Sequence, residues 1–390
     1  MTVEAVPSPS VWSSLVGQQH AIEVLRRAAG GHGMTHAWLF TGPPGSGRSN
    51  AALAFAAALQ CERGTGCGEC HACRTALAGT HPDISITRSE TSVHYIKDMR
   101  ELVRRAGLYP VEGKWQVMLI EDADRLAKGD ETRTANALLK AIEEPTPKTV
   151  WLLCAPTVED VLPTIRSRCR NISLATPTAP QVAAYLVERD GVTEGLASFA
   201  ARASQGHIGR ARALARDEKT RNRRREVVLM PGGLTGIGAC MQAAANLVDI
   251  AKDETAALTE QSNARAMGEL EATYGDDRKS KTSRSYKAAL REVEHSQRQR
   301  EKRRVMDVID RGLMDMMSVY RDAIAVQVGA PGALVNEEIR GSVEDVARRT
   351  TPEQNLRRID AIFAARDQMM EFNTTPLLAL ESMMVALRIR

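Results

Sequence analysis

Residues 42–49, GPPGSGRS, lie between an apolar run, HAWLF (36–40), and an alanine-rich run, NAALAFAAALQ (50–60). Strand, glycine-rich loop and helix in that order is the setting of a phosphate-binding loop, with the pattern G-x-x-x-x-G-K-[ST]. Gly42, Gly47 and Ser49 occupy its fixed positions, and Gly45 and Ser46 keep the loop small. Such glycines let successive backbone N–H groups converge on phosphate oxygens, aided by the helix N-terminus. Ser49 stands where a hydroxyl reaches Mg²⁺. Arg48 is the departure, because the pattern asks for lysine. Lysine is a compact point charge; a planar guanidinium does not replace it in a fitted site. Phosphate-loop ancestry is expected here, and competent hydrolysis is not. The plain alternative is a glycine turn with no ligand.

Around this loop the chain alternates. Strand-like segments at 36–40, 83–87, 115–124 and 150–156 are interleaved with helical ones at 19–29, 50–60, 95–107 and 135–144. That order indicates a parallel sheet flanked by helices. The alternation stops near residue 175, and almost everything after it reads as helix. The expected plan is an α/β domain over 1–175, a small helical lid over 176–225 and an all-α domain over 226–390. Residues 217–225, DEKTRNRRR, read as a charged hinge or an exposed helical face. Aromatics at 4% and frequent alanine runs favour helix-rich packing over a β-sandwich.

No apolar run reaches the roughly 18–20 residues that span a bilayer. The first residues carry no apolar signal region either, so a cytoplasmic protein without membrane contact is expected. A formal charge of +4 over 390 residues does not suit a dedicated DNA-coating protein. Cations do crowd 278–304, from Arg278 and Lys279 to Arg303 and Arg304. Tyr286 is the single aromatic there, and Glu292, Glu294 and Glu301 are interspersed, as on a solvated, salt-bridged helix.

Four of the seven cysteines, Cys61, Cys67, Cys70 and Cys73, fall within thirteen residues, as an insertion in the α/β domain. Four thiolates close a tetrahedral structural zinc site, and the Cys-x2-Cys spacings allow a tight knuckle. A four-sulfur shell leaves no position for water, so such a zinc is structural. An iron–sulfur cluster and a redox-active dithiol are the rivals. Cys154, Cys169 and Cys240 are isolated and read as packing residues.

Several blocks resemble bacterial clamp-loader subunits of the AAA+ class. They are LVGQ (15–18), THAWLFTGPPGSGR (35–48), the four-cysteine insertion, THPDI (80–84), NALLKAIEEPTPKTVWLLCAPT (136–157) and LPTIRSRCR (162–170). ASQGHIGRARAL (203–214) is similar to the lid segment carrying sensor 2, and ARDQMMEFNTTPLLALE (365–381) to the ending of the collar. The likeness is weakest over 216–360. It implies an AAA+ P-loop module with a helical lid and an all-α collar used for oligomerisation.

The resemblance also assigns roles. Val16, with Gly17 and Gln18, matches the segment beside adenine. Glu121 and Asp122 stand where active members carry an aspartate for Mg²⁺ and then a glutamate that positions water. The order is reversed here, so each carboxylate is one methylene wrong, a costly misplacement in catalysis. Thr157 lies near the polar sensor position. Ser167, Arg168 and Cys169 match the SRC motif, whose arginine reaches into a neighbouring subunit's ATP site and neutralises charge on the γ-phosphoryl group. The plain alternative makes Arg168 one of three surface arginines with Arg166 and Arg170.

Without the lysine and the Asp-Glu order, the sequence points to a non-hydrolysing member, with ATP and Mg²⁺ occupancy open. Implied partners are tau/gamma motor subunits and a delta subunit in a hetero-pentamer-type ring and, through it, the sliding clamp and primer–template DNA. The rival readings are an active ATPase motor of the same assembly and a zinc-containing nucleic-acid-binding module.

Overall fold

The apolar run at 36–40 forms strand β1 (Ala37–Thr41), buried along its whole length. A strand apolar on both faces needs cover on both, which places it inside a parallel sheet between helical layers. The computed structural model describes residues 10–87, 96–127, 138–274, 284–370 and 374–389. In it β1 pairs in parallel with β4 (Thr149–Ala155) and β5 (Arg170–Ser173). Beyond β4 follow β3 (Gln116–Ile120) and β2 (Ile84–Thr87), giving the order β2-β3-β4-β1-β5.

Side chains alternate across the sheet. Trp38 and Phe40 point into one core with Phe55 and the alanines of α2 (Arg48–Gln60), beside α1 (Gln19–Ala29) and a short 3-10 turn at Val11–Ser14. Trp38 meets Phe55 edge-on, ring centroids 5.0 Å apart. Leu39, Met118, Ile120, Trp151 and Leu153 point to the other core. There they meet α4 (Ile96–Ala106), α5 (138–143) and α6 (Pro163–Arg166), through Met99, Leu138, Ile142 and Ile165. The cysteine-rich insertion contains α3 (His71–Leu77). The alternation thus stops where expected, but β5 was not expected. One buried residue in four, Ile172, is too weak a signal to read as a strand.

The chain divides into two units, 1–212 and 213–390. The first also carries α7 (Ala179–Asp190), α8 (Glu194–Ser204) and the start of α9 (Ile208–Arg216). The second is all helical: α10 (Glu218–Gly233), α11 (Ile237–Tyr274), α12 (Arg284–Gln327), α13 (Arg340–Arg349), α14 (Pro352–Met370) and α15 (Pro376–Leu387). Its core includes Leu247, Ile309, Leu313, Met316, Tyr320, Ile362 and Leu380.

The charged stretch 217–225 opens α10, with Asp217 as its N-cap. It is not wholly surface: Arg224 is buried and donates to Asp315, Asn336 and Glu338. A buried guanidinium needs such partners, because it keeps its charge and an unpaired one would destabilise its site. Of the basic stretch, 278–283 lies outside the described residues, and the rest lies on α12. There Glu294–Arg298 and Arg303–Asp307 are (i, i+4) ion pairs on a solvated face. Among the described residues no helix is long and apolar enough to cross a membrane.

Candidate functional site

Parallel pairing brings the carboxyl ends of β1, β3 and β4 side by side, with Thr41 opposite Ala155 and Ile120 opposite Leu153. The phosphate loop, the acidic pair and Thr157 therefore lie along one edge of the sheet, the usual ligand edge of such folds. Gly45 and Gly47 have φ of +89°, and Gly47 caps α2 in the left-handed region. A Cβ on Gly42 would stand 2.4 Å from the Leu174 carbonyl oxygen, so only glycine fits there. Ser46 is buried, and its hydroxyl has no hydrogen-bond partner among the described residues. An orphaned hydroxyl inside a glycine cradle fits a phosphate loop.

The side chains around the cradle are engaged within the fold. Arg48 Nη1 donates to the Gly42 carbonyl, so the guanidinium folds back across its own loop. Glu121 and Asp122 follow β3, with their charges near Cys154 on β4. Burial pushes the Cys154 thiol up, Glu121 adds to that, and Arg48 partly offsets it. Thr157 caps a turn, its N–H and hydroxyl both donating to Asp160 Oδ2, at 2.9 and 2.8 Å. A sensor threonine would have to leave that turn.

The loop is also closed from above. A Cβ on Gly45 would lie 2.7 Å from the Cβ of His207, which precedes α9. Gly17, φ +73°, packs against Gln181, whose Oε1 accepts the Thr178 N–H at 3.0 Å at the start of α7. Val16 beside it is half-buried. These contacts join the 16–18 segment and the glycine loop to α7 and to the residue before α9. Gln181 and His207 are not legible as site residues in sequence, because only the fold brings them to the loop.

Ser167, Arg168 and Cys169 form the turn after α6, and their environments differ. Cys169 packs against the second core, and burial pushes its thiol up to about 12. Ser167 and Arg168 are exposed. Arg168 Nη1 donates to the Thr164 carbonyl at 2.7 Å and the Ser167 hydroxyl at 3.2 Å, while Nη2 meets Glu143 Oε1 at 2.6 Å. Arg170 differs: it donates to the Gly33 carbonyl at 2.8 Å and stacks over Trp38. Arg168 is therefore not interchangeable with its neighbours.

The thiol sulfurs of Cys61, Cys67, Cys70 and Cys73 all lie within 4.8 Å of one another, so the four could hold one metal ion. A tetrahedron of thiolates about 2.3 Å from zinc has edges of about 3.8 Å. Cys61 and Cys67 are 3.8 Å apart. Backbone N–H groups of Cys67, Cys70 and Cys73 donate to the sulfurs of Cys61, Cys67 and Cys70 at 3.4–3.5 Å. Burial raises the Cys61 thiol, but hydrogen bonds from the Cys67, Thr65 and Gly66 N–H groups and from the Cys73 thiol together outweigh it and bring it to about 6. His71 is exposed, outside the cluster. The donor set fits a closed tetrahedral ion.

Residues 17–178 match the family described as DNA polymerase III, delta subunit. Over 191 residues the chain is 31% identical to DNA polymerase III subunit gamma/tau of Mycobacterium tuberculosis, covering 47% of this chain and 32% of that one. Over 176 residues it is 36% identical to DNA polymerase III subunit delta' of Pseudomonas aeruginosa, covering 44% of this chain and 48% of that one. The chain thus spans about half, or less, of the length of these relatives. A solved DNA polymerase III gamma subunit-related protein of Thermotoga maritima gives a TM-score of 0.43 at 13% identity, over 94% of this chain and 98% of that one.

Proposed function

We infer that this chain, a DNA polymerase III delta-subunit-like protein over residues 17–178, is the delta-prime subunit of a bacterial clamp loader. In this reading it hydrolyses no ATP itself and supplies Arg168 to the ATP site of a neighbouring motor subunit. The observation that carries it is the contrast between two arginines. Arg48 is turned into its own phosphate loop, while Arg168 stands exposed on a turn anchored by Cys169. A guanidinium aimed at charge developing on a γ-phosphoryl group is worth a factor of about 10³ or more at the site it serves.

The remaining parts follow. Cys61, Cys67, Cys70 and Cys73 hold a structural zinc that ties α3 to the end of α2. The glycine cradle keeps its left-handed turns and an unpartnered Ser46 hydroxyl, but Arg48, the Glu121-Asp122 order and the Thr157 turn leave it without the parts of an ATPase. Residues 176–225 serve as lid and 226–390 as collar. The partners are tau/gamma motor subunits and a delta subunit in a hetero-pentameric ring and, through that ring, the sliding clamp and primer–template DNA.

The test is clamp- and DNA-stimulated ATP hydrolysis by the reconstituted assembly, with wild-type chain and with Arg168→Ala. The rate falls several-fold while the assembly stays intact; the other ATP sites account for the remainder. An unchanged rate removes the arginine-finger role. Hydrolysis by the isolated chain would instead favour the motor reading.

A further inference from the structure

We propose that Glu143 is a positioning residue for Arg168, holding the guanidinium in the orientation from which it serves a neighbour's ATP; this rests on the arginine-finger reading above. The two residues are far apart in sequence, and the second core brings them together. Leu138 and Ile142 on α5 and Ile165 on α6 are fully buried in one cluster, which sets the end of α5 beside the turn after α6. Glu143, the last helical residue of α5, reaches Arg168 Nη2 at 2.6 Å.

Three groups then share the guanidinium: Glu143 on Nη2, and the Thr164 carbonyl and Ser167 hydroxyl on Nη1. A guanidinium has five N–H donors in a rigid fork. With Nη1 and one side of Nη2 held, the Nε edge is the part left to address phosphate oxygens. An arginine with no such hold would have to freeze several side-chain torsions at the moment of reaction, which is the loss that preorganised donors avoid.

The pair is also able to yield. Both side chains are about 40% exposed, at 43% for Glu143 and 38% for Arg168, so water screens the attraction. It directs the guanidinium without locking it away from the stronger field of a magnesium-bound triphosphate. Glu144, the next residue, carries the same charge beyond the helix end and provides an internal control.

The experiment uses the reconstituted assembly with Glu143→Ala, Glu143→Asp, Glu144→Ala, Arg168→Ala and the Glu143→Ala/Arg168→Ala double variant. Glu143 is exposed at a helix C-terminus, where an acid adds no helix stability, so its removal spares folding. The expected result is a kcat for Glu143→Ala about 2-fold below wild type, a smaller loss than for Arg168→Ala, with KM for ATP unchanged. Glu143→Asp recovers part of it, Glu144→Ala matches wild type, and Glu143→Ala adds nothing once Arg168 is gone. A wild-type or faster rate for Glu143→Ala overturns the proposal while a slow Arg168→Ala keeps the finger. An equal loss in the Arg168→Ala background also overturns it, since Glu143 would then act structurally. If Arg168→Ala itself runs at the wild-type rate, the finger reading and this proposal fall together.

Discussion

Gln18 grips Ala175 with both ends of its side-chain amide: Nε2 donates to the Ala175 carbonyl at 2.6 Å, and Oε1 accepts the Ala175 N–H at 3.2 Å. The same nitrogen lies 3.4 Å from the Ser46 carbonyl. One buried side chain thus joins the segment before α1, the phosphate loop and the connection leading to α7. Gln18→Ala leaves those backbone groups short of partners, at about 1–3 kcal/mol for buried polar groups. Urea denaturation should show a loss of that size. No change in midpoint would mean that water replaces the amide.

Gly45 and Gly47 share a φ of +89° but differ in what surrounds them. A Cβ at Gly45 meets His207, and one at Gly47 meets nothing within 4 Å. Alanine at either position incurs left-handed strain of roughly 1–2 kcal/mol. Gly45→Ala adds overpacking, commonly about 1–3 kcal/mol. Its thermal midpoint should therefore fall clearly below that of Gly47→Ala. Equal midpoints would show that the segment before α9 moves aside without cost.

Purified protein should contain zinc in equimolar amount, and Cys67→Ser should lose it. Binding needs deprotonated thiolates and contributes folding free energy directly. A strong chelator should therefore lower the melting temperature of the wild type and leave Cys67→Ser unmoved. Metal analysis alongside calorimetry checks both; iron in place of zinc would revive the cluster alternative.

Leu356, Phe363 and Met370 are exposed on α14 at intervals of seven residues, and Leu378 and Val385 on α15 follow the same interval. Seven residues return a helix to nearly the same face. These stripes are the candidate contact of the proposed collar. Phe363→Asp with Leu378→Asp should leave the chain's own stability within about 0.5 kcal/mol, as surface changes do. Assembly with the partner subunits, followed by light scattering, should be lost; intact assembly would move the contact elsewhere.

Much of the candidate site is legible in sequence as a pattern because its signals are local. The glycine spacing at 42–49, the cysteine spacing at 61–73 and the order of Glu121 and Asp122 are fixed by neighbours in sequence. So are buried strands such as β1 and β4, whose continuous apolar runs have no other home in a protein of this composition. The strand β5 escaped because its cover comes from other elements, and Arg224 because its partners sit 91 to 114 residues away.

What the sequence determined by itself was the inventory: a glycine-rich loop with arginine where the phosphate-loop pattern asks for lysine, four clustered thiols, an arginine in a Ser-Arg-Cys turn, and a change from alternating to helical structure near residue 175. Only the tertiary structure decided what those groups touch. It turned Arg48 onto Gly42, closed His207 over Gly45, tied Thr157 to Asp160 and set Glu143 against Arg168. The division has a physical reason. Backbone conformation and ligand spacing are short-range properties carried by adjacent residues. The direction of a long charged side chain depends on which carbonyls and carboxylates the packed core places within about 3 Å of it.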